Sequence, residues 1–429
     1  QDLPGRVGYW HIGVPPNGPM DDLSHALVNK AVGNADDAAA LEMTGQGPTL
    51  RFTADAVVAW GGAALDATLD GVAVPAWRPT EVAAGQTLAL GTFEGPGFRS
   101  YLAVRGGIDV PRYLGSRSTF TLGVFGGLDG RALMAGDVLP IGDDVADRPG
   151  PLPQGMAPQL TREWRIGVLV GPHTAPEFLT DAGLAALLGA EWQVHHNSAR
   201  TGVRLVGPRP GWARPDGGEA GLHPSNIHDT GYAIGSVDLT GDMPVILGPD
   251  GPSLGGFVCP AVVAAAERWK LGQLAPGDRV RLVPWGQDRA DAAWRRRIDF
   301  LDRACSRIEP VARPTWNAVL GADDASGDAV LASEPAEGAL PSVTYRQAGD
   351  RFLLVEFGDM RLDLELRVRV HALDAWVGEH LGPGLVDATA GVRSLLIQVD
   401  GDRLGVRAAC DAVREGLADL VDLDDHRFP

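Results

Sequence analysis

Cysteine is scarce in this chain of 429 residues, and long apolar runs are missing. The three cysteines, Cys259, Cys305 and Cys410, lie far apart, without the paired spacing of a zinc site or the density of a disulfide framework. No stretch reaches the ~18 uninterrupted apolar residues of a membrane span, and the N-terminus lacks a basic-then-apolar signal pattern. We therefore predict reduced thiols, no metal site, no membrane partner and a cytoplasmic location.

Positive charge is also in short supply. The chain has 37 lysines and arginines against 55 aspartates and glutamates, a formal net charge of -18. Nucleic acids and anionic membranes are bound through basic patches, so this balance argues against both as partners. The length and the 45% hydrophobic content allow two or three globular domains, each with its own core.

Glycine and proline, by contrast, are abundant, with 57 and 32 residues. Such a composition suits short strands joined by turns, and it predicts a mostly β fold. Short apolar or alternating runs predict strands at 57–60, 87–90, 101–104, 167–170, 236–239 and 280–283. Two segments interrupt this pattern and predict helices, at 20–32 and at 260–269.

The pattern changes after residue 286. We predict a lobe at 1–286, a linker at 287–341, whose first part has the composition of a helix, and a small α+β module at 342–429. Within the module, 345–357 predicts paired strands, 394–399 a strand and 404–420 a helix. The segment 362–381 alternates like a strand at its start, but its second half has helical spacing.

Four blocks stand out from the strand pattern. The first, 5–21, surrounds Tyr9 with glycines and prolines and fits a structural turn as well as a binding loop. In the second, Gly171 and Pro172 follow a predicted strand and lead to His173. A strand that ends in such a turn often presents its next polar side chain to a cleft, although a lone histidine is more often a packed or surface residue.

The third block, 223–232, places His223, Ser225, Asn226, His228 and Asp229 close together. A metal site is one interpretation, but the spacing of these ligand types carries no strong signature. A nucleophilic triad is another, yet Ser225 follows a proline and lies in no nucleophile elbow. Spacing alone supports neither interpretation.

The fourth block, 248–257, is a glycine-rich turn that contains Asp250, Ser253, Gly255 and Gly256. Backbone N–H groups in such a turn can hold an anion. The block lacks the Gly-Lys-Ser/Thr ending of a nucleoside-triphosphate loop. We therefore expect it to bind a carboxylate or a ureido oxygen rather than a phosphate.

In their order along the chain, these blocks resemble the carboxyltransferase domain of urea carboxylase and urea amidolyase, the family of allophanate hydrolase subunits 2 and 1. The resemblance covers roughly residues 1–285, and 345–350 and 391–395 resemble the start of the subunit 1 lobe. It implies cyclophilin-like barrels in both lobes, with the subunit 1 barrel following Pro429. It also implies a biotin carrier, and a biotin carboxylase that uses ATP and Mg, outside this piece.

The resemblance further implies that carboxybiotin, presented by the carrier, gives its carboxyl group to a urea nitrogen to form allophanate. Asp229 and His223 are the expected catalytic residues, and Asp229 would accept two N–H groups of the substrate. Substrate contacts are expected from Gly171, His173, Ser225, Asn226, Asp250 and Ser253. Contacts to biotin are expected from Tyr9, Gly255 and Gly256.

Three alternatives stay open at this point. A carboxylate fork at Asp229 matches guanidinium better than neutral urea, so guanidine carboxylation is the nearest of them. The second is a component of 5-oxoprolinase, which acts on a ring amide. The third is a binding module that resembles modulators of a sporulation kinase. A homo-oligomer is left open as well.

Overall fold

Turn-forming residues divide the chain into short elements, which the computed structural model describes over residues 1–143, 145–306, 329–338 and 340–417. Its α-helices are α1 (Asp22–Val32), α2 (Asp181–Gly189), α3 (Gln287–Ser306), α4 (Leu364–His380) and α5 (Val406–Gly416). Among these described residues, no helix is both long enough and apolar enough to cross a membrane.

The first part of the chain forms two four-stranded antiparallel sheets. Its strands are β1 (Leu41–Thr44), β2 (Thr49–Arg51), β3 (Ala56–Gly62), β4 (Leu65–Leu69), β5 (Val72–Ala73), β6 (Thr80–Val82), β7 (Thr87–Phe93) and β8 (Arg99–Val104). One sheet has the order β1-β8-β3-β6 and the other β2-β7-β4-β5. The strands predicted at 57–60, 87–90 and 101–104 are confirmed as β3, β7 and β8.

Helix α1 packs on β3 and β8 and confirms the helix predicted near 20–32. Asp21 caps it, because its carboxylate accepts hydrogen bonds from the backbone N–H of Ser24 at 2.9 Å and from Nε2 of Gln273 at 2.6 Å. Burial raises the pKa of Asp21 to about 6. The start of this helix is thus tied to a residue more than 250 positions later in the chain.

The second part forms a closed seven-stranded barrel, with β12 and β15 as a separate two-stranded ribbon. Its strands are β9 (Glu163–Val170), β10 (Trp192–Val194), β11 (Gly202–Val206), β12 (Asn226–Gly231), β13 (Ser236–Thr240), β14 (Met243–Leu247), β15 (Leu254–Phe257), β16 (Ala261–Val263) and β17 (Arg279–Pro284). The barrel order is β10-β11-β14-β13-β16-β9-β17. The strands predicted at 167–170, 236–239 and 280–283 are confirmed as parts of β9, β13 and β17.

The helix predicted at 260–269 is wrong. The segment begins as strand β16, which pairs with both β9 and β13 and closes the barrel. A 3-10 helix at Ala265–Gln273 follows it, and Trp269 packs edge-on against Trp164. The alanines gave the segment a helical composition, but the β-branched Val262 and Val263 suit the barrel ladder, whose pairing overrides local propensity.

The third part is a five-stranded antiparallel sheet covered on one face by α4 and α5. Its strands are β18 (Val330–Glu334), β19 (Val343–Gln347), β20 (Phe352–Phe357), β21 (Leu385–Ala390) and β22 (Ser394–Val399), in the order β18-β19-β20-β22-β21. This confirms a mostly β protein that ends in a small α+β module. The ambiguous segment at 362–381 is helical from Leu364, with Asp363 as its N-cap. Residues 418–420 of the last predicted helix lie outside the described residues.

The other face of this sheet packs on the barrel and on the N-terminal loop. Phe352 and Leu396 of the sheet join Trp10, Cys259 and Val262 in one buried cluster. Two regular elements lie in the range predicted as a linker. Helix α3 contacts α1 through an ion pair of 2.8 Å between Arg297 and Asp22, and β18 extends the sheet. Residues 307–328 and 339 lie outside the described residues.

A buried charge cluster joins the first part to the barrel. The guanidinium of Arg200 donates to Glu42 at 2.6 Å, to Asp250 at 2.8 Å and to the backbone oxygen of Gly18 at 2.7 Å. Burial alone would raise the pKa of Glu42, but the guanidinium groups of Arg200 and Arg99 outweigh it and hold that pKa at about 2. The cluster is therefore charged at neutral pH.

We expect Glu42→Gln to lower the free energy of unfolding by about 3 kcal/mol at neutral pH, because it leaves buried guanidinium groups short of a carboxylate. The folded-state pKa of Glu42 lies below its ordinary value of 4.5. Its stabilising effect is therefore present above that value and is lost as the pH falls toward 2.

Urea unfolding of both proteins at several pH values measures this difference. The difference in the free energy of unfolding between the native protein and Glu42→Gln should decrease as the pH falls below about 4.5. Glu81→Gln, at an exposed strand position, is the control and should change little. A difference that stays constant down to the acid range would contradict the role of Glu42.

Candidate active site

A cleft lies where the β12–β15 ribbon meets the turn between β21 and β22. The backbone oxygen of Asp229 accepts a hydrogen bond from the N–H of Val392 at 2.9 Å, and the hydroxyls of Thr230 and Ser394 lie 3.0 Å apart. These bonds fix the ribbon on the sheet. The cleft is narrow, with a volume of about 10 Å³. It is lined by His173, Ile227, His228, Asp229, Thr230, Glu356, Met360, Arg393 and Ser394.

Two glycines allow this close approach. A Cβ at Gly231 would lie 2.4 Å from Cβ of Leu396, and one at Gly391 would lie 2.6 Å from the backbone oxygen of Asp229. Neither distance can be accommodated without shifting the ribbon away from the sheet. The contact that places Asp229 beside the cleft therefore requires glycine at both positions.

His173 is held at the base of the cleft by the turn that follows β9. The turn lies close to Cys259, because a Cβ at Gly171 would be 2.3 Å from the backbone oxygen of that residue. The N–H of His173 donates to the same oxygen at 3.1 Å, and the N–H of Cys259 donates to the imidazole Nδ1 at 3.3 Å. Since Nδ1 accepts, the proton of the neutral ring belongs on Nε2.

The imidazole of His173 is buried, and its Nε2 has no hydrogen-bond partner among the described residues. Burial lowers its pKa to about 3, and the nearby positive charges of Arg346 and Arg393 act in the same direction, against the opposing effect of Glu356. His173 therefore stays neutral at physiological pH. It provides one buried N–H donor at the cleft.

Glu356 forms the opposite wall between two arginines. Its carboxylate accepts from Nε of Arg346 at 2.5 Å and from Nη2 of Arg393 at 2.6 Å. Burial alone would raise the pKa of Glu356, but these guanidinium groups hold it at about 2. Arg346 also donates to Glu177 at 2.7 Å and to the backbone oxygen of Pro172 at 3.3 Å. The network thus connects the sheet to the turn that carries His173.

Asp229 and His228 follow each other on β12. The side chain of Asp229 is exposed beside the cleft. The imidazole of His228 is buried, and its Nε2 has no hydrogen-bond partner among the described residues; the carboxylate of Glu219 is 3.9 Å away. The cleft thus combines an exposed carboxylate with two imidazoles.

The other polar residues of the third block form the turn before β12. Nδ1 of His223 lies 2.8 Å from the hydroxyl of Ser225, and Oδ1 of Asn226 accepts from the N–H of His223 at 3.1 Å. Nε2 of His223 faces Asp242 at 3.6 Å. These three side chains stabilise the turn and do not line the cleft.

Of the glycine-rich block, only its second half adjoins the site. A Cβ at Gly256 would lie 3.8 Å from Oδ1 of Asp229, and one at Gly255 would overlap the ring of Tyr232 at 2.3 Å. Ser253 is buried, and its backbone oxygen accepts from the N–H of Tyr232.

Asp250 and Tyr9 lie elsewhere. Asp250 belongs to the charge cluster around Arg200, where it also accepts from Nδ2 of Asn17 at 3.1 Å. Tyr9 precedes a 3-10 helix at Trp10–Ile12, which contacts β21. The structure therefore brings His173 and Asp229 together at the cleft, with Gly256 beside Asp229, and it separates Asp250 and Tyr9 from them.

Several residues of the cleft were not singled out from the sequence: His228 as a lining residue, Glu356, Arg393 and Arg346. The sequence pattern that could have identified Glu356 is a single acidic residue within an otherwise apolar strand, β20, whose residues are all buried. A buried carboxylate of this kind requires cationic partners. Its partners, Arg346 and Arg393, lie on the neighbouring strand β19 and just before β22.

The comparisons with known proteins agree with this architecture. The carboxyltransferase domain, subdomains A and B, matches residues 12–284, and the carboxyltransferase domain, subdomains C and D, matches residues 343–427. The chain belongs to the carboxyltransferase domain family. The first match contains the two sheets and the barrel, and the second contains the α+β module.

Among similar carboxyltransferase proteins is the urea amidolyase of Lachancea kluyveri, 45% identical over 425 residues, or 96% of this chain and 23% of that protein. The crystal structure of the Kluyveromyces lactis urea carboxylase superposes with a TM-score of 0.91 at 41% identity, covering 100% of this chain and 38% of that one. A 5-oxoprolinase component of Escherichia coli is 36% identical over 281 residues, or 65% of this chain and 86% of that protein. The chain thus spans about a quarter of the length of the urea amidolyases it matches.

We expect the imidazole of His173 to remain neutral, with its proton on Nε2, from about pH 8 to about pH 5, because protonation would place a charge in a buried site. Long-range ¹H–¹⁵N correlation spectra report the protonation state and the tautomer of a histidine ring directly. The signal that disappears in His173→Gln belongs to His173. N-acetylhistidine in the same buffer is the control for an exposed ring. A midpoint near the ordinary value of 6.5 would contradict the buried, neutral assignment.

Proposed function

We propose that this chain performs the carboxyl-transfer step of a biotin-dependent carboxylase, in which a carboxyl group is placed on a nitrogen of urea to form allophanate. The observation that carries the proposal is that an exposed carboxylate, Asp229, and a buried neutral N–H donor, His173, line one cleft. A carboxylate accepts the N–H groups of an amide, and a fixed N–H donor binds its oxygen. The urea amidolyase and urea carboxylase relatives support the substrate.

The polar groups of the cleft match those of the ureido ring of biotin. That ring presents a carbonyl oxygen and N–H groups, and Nε2 of His173 and of His228 are buried nitrogen atoms without partners among the described residues. Carboxybiotin, when bound, supplies the carboxyl group that is transferred. A biotin carrier and an ATP- and Mg-dependent biotin carboxylase would load and deliver it.

Each side chain of the cleft then has a distinct task. Asp229 orients the substrate by accepting its N–H groups, which holds the attacking nitrogen in place. His173 donates to an oxygen without adding a proton, since its ring is neutral. Glu356 is fully compensated by Arg346 and Arg393, so its task is to hold the two walls together rather than to exchange protons. Ile227 and Met360 add apolar surface that limits the access of water.

Guanidine is a second candidate substrate, and the specific observation in its favour is again the carboxylate of Asp229. A carboxylate forms charge-assisted, bidentate bonds with a guanidinium, which are stronger than its bonds to a neutral amide. Urea keeps the first place because the relatives that cover nearly the whole chain are named for urea.

We expect Asp229→Ala to reduce kcat/KM for urea carboxylation by about 100-fold or more, because the substrate loses its orienting acceptor. The assay is urea-dependent ATP hydrolysis by the protein together with its biotin carboxylase and carrier parts. Asp66→Ala, at an exposed position of β4, is the matched control and should retain full activity. Unchanged carboxyl transfer in Asp229→Ala would refute the role of this residue.

The ratio of kcat/KM for urea to kcat/KM for guanidine shows which of the two compounds is the preferred substrate. We expect urea to be preferred by the native protein. We also expect Asp229→Asn to impair guanidine more than urea, since only guanidinium loses an ionic bond. A large preference of the native protein for guanidine would replace urea by guanidine as the substrate and leave the carboxyl-transfer step intact.

A further inference from the structure

A second cavity, of about 320 Å³, lies at the junction of the three parts of the chain. The N-terminal loop, the 3-10 helix after β16, helix α3 and the ends of β21 and β22 form its walls. The candidate active-site cleft touches β22 at Ser394, whereas this junction cavity touches it at Gln398 and Val399. At ~3.3 Å per residue, the two sites lie roughly 13 Å apart along that strand.

Arg268 is the distinctive residue of the junction cavity. Its guanidinium has no ion pair and no hydrogen bond within the part of the chain that the structure describes, and its Nε and Nη2 are buried. It lies over the ring of Phe352, 5.7 Å from the ring centre. Burial lowers the pKa of Arg268, although the carboxylates of Asp350 and Asp22 attract it from beyond ion-pair distance. Arg268 as a residue is half-buried, but these two nitrogen atoms are withdrawn from water without a direct partner, which is unfavourable.

The other charged residues of the cavity wall all have partners. Asp22 pairs with Arg297, Asp387 accepts from the N–H of Trp10 at 3.0 Å, and Asp402 accepts from the indole N–H of Trp294 at 3.2 Å. Arg6, Asp400 and Arg351 are engaged as well. Among the described residues of the wall, the buried charged atoms without a partner are one oxygen of Asp22, whose other oxygen is paired, and the Nε and Nη2 atoms of Arg268. Only Arg268 lacks both an ion pair and a hydrogen bond, so the complementary ligand is an anion.

The other residues of the cavity wall indicate which kind of anion fits. Apolar surface comes from residues such as Leu3, Ile234, Leu271 and Val386. The ring of Trp294 is already covered by the guanidinium groups of Arg351, at 4.9 Å, and of Arg297, at 5.7 Å. Three aspartates at the end of the cavity, Asp387, Asp400 and Asp402, disfavour a doubly charged ligand such as a phosphate.

We propose that the junction cavity binds a small organic monocarboxylate with an apolar body, whose carboxylate pairs with Arg268. An arginine fork matches a carboxylate through two parallel hydrogen bonds, and the cavity volume is that of a small-molecule site. A ligand here contacts all three parts of the chain at once. Its binding would stabilise their arrangement by mass action, independently of carboxyl transfer.

Phenylacetate and its neutral counterpart phenylacetamide are matched probes for the 429-residue chain. We expect isothermal titration calorimetry to show saturable, millimolar or tighter binding of phenylacetate and about tenfold weaker binding of phenylacetamide, a difference of ~1.4 kcal/mol. Arg268→Gln should reduce the affinity for phenylacetate about tenfold, to that of the amide. Arg279→Gln, at an exposed site on β17, is the control and should bind like the native chain.

Arg268→Gln could lose binding because it misfolds, so a second variant tests the cavity with Arg268 unchanged. Val386→Trp places a large ring in the cavity from β21 and should abolish binding of the acid, with an unchanged circular dichroism spectrum. Equal binding of acid and amide, unchanged binding by Arg268→Gln or Val386→Trp, or no saturable binding of phenylacetate would overturn the proposal. No readout depends on carboxyl transfer, so failure here is distinct from failure of the proposed function.

Discussion

The position of one buried carboxylate, Glu356, determines the geometry of the candidate active site. It lies between Arg346 and Arg393, both within 2.6 Å, on three adjoining segments of one sheet. Arg346 extends the network to Glu177 and Pro172 of the barrel side. The buried pairs hold Arg346 in place on the sheet, and its bonds to Glu177 and Pro172 favour one arrangement of the sheet and the turn that carries His173.

The same principle operates at the other junction of the molecule. Arg200 unites Glu42 of the first part with Asp250 of the barrel, and Gln273 reaches from the barrel to cap helix α1 through Asp21. Apolar surfaces bring the parts together, but they tolerate many orientations. Buried ion pairs and hydrogen bonds are directional, and here they select one orientation at each junction.

The elements could be predicted where a local pattern agreed with the final packing. The alternating runs of the barrel and sheet strands, and the acidic start of α1, carry their own signals. The segment at 260–269 failed because its alanines suggest a helix, while pairing of Val262 and Val263 with two neighbouring strands decides its structure. Such pairing is not visible in a short stretch of sequence.

The site was predictable to a smaller extent. His173 and Asp229 lie in blocks whose composition is unusual, and both line the cleft. His223, Ser225 and Asn226 have the same kind of composition, yet their polar atoms are used within a turn. Which polar groups remain free for a ligand depends on the hydrogen bonds made by their neighbours, and composition does not record this.

The sequence by itself determined a mostly β chain that ends in an α+β module, and it carried the motifs of a carboxyltransferase domain. Those properties follow from local periodicity and from residue identity. Only the tertiary structure decided that Asp229 faces a cleft with His173 and Glu356, and that Arg268 lines a separate cavity without a direct partner among the described residues. Some of these contacts join segments more than 100 residues apart in the sequence. The protonation state and the role of a buried charged group depend on the groups that surround it, which only the folded chain brings together.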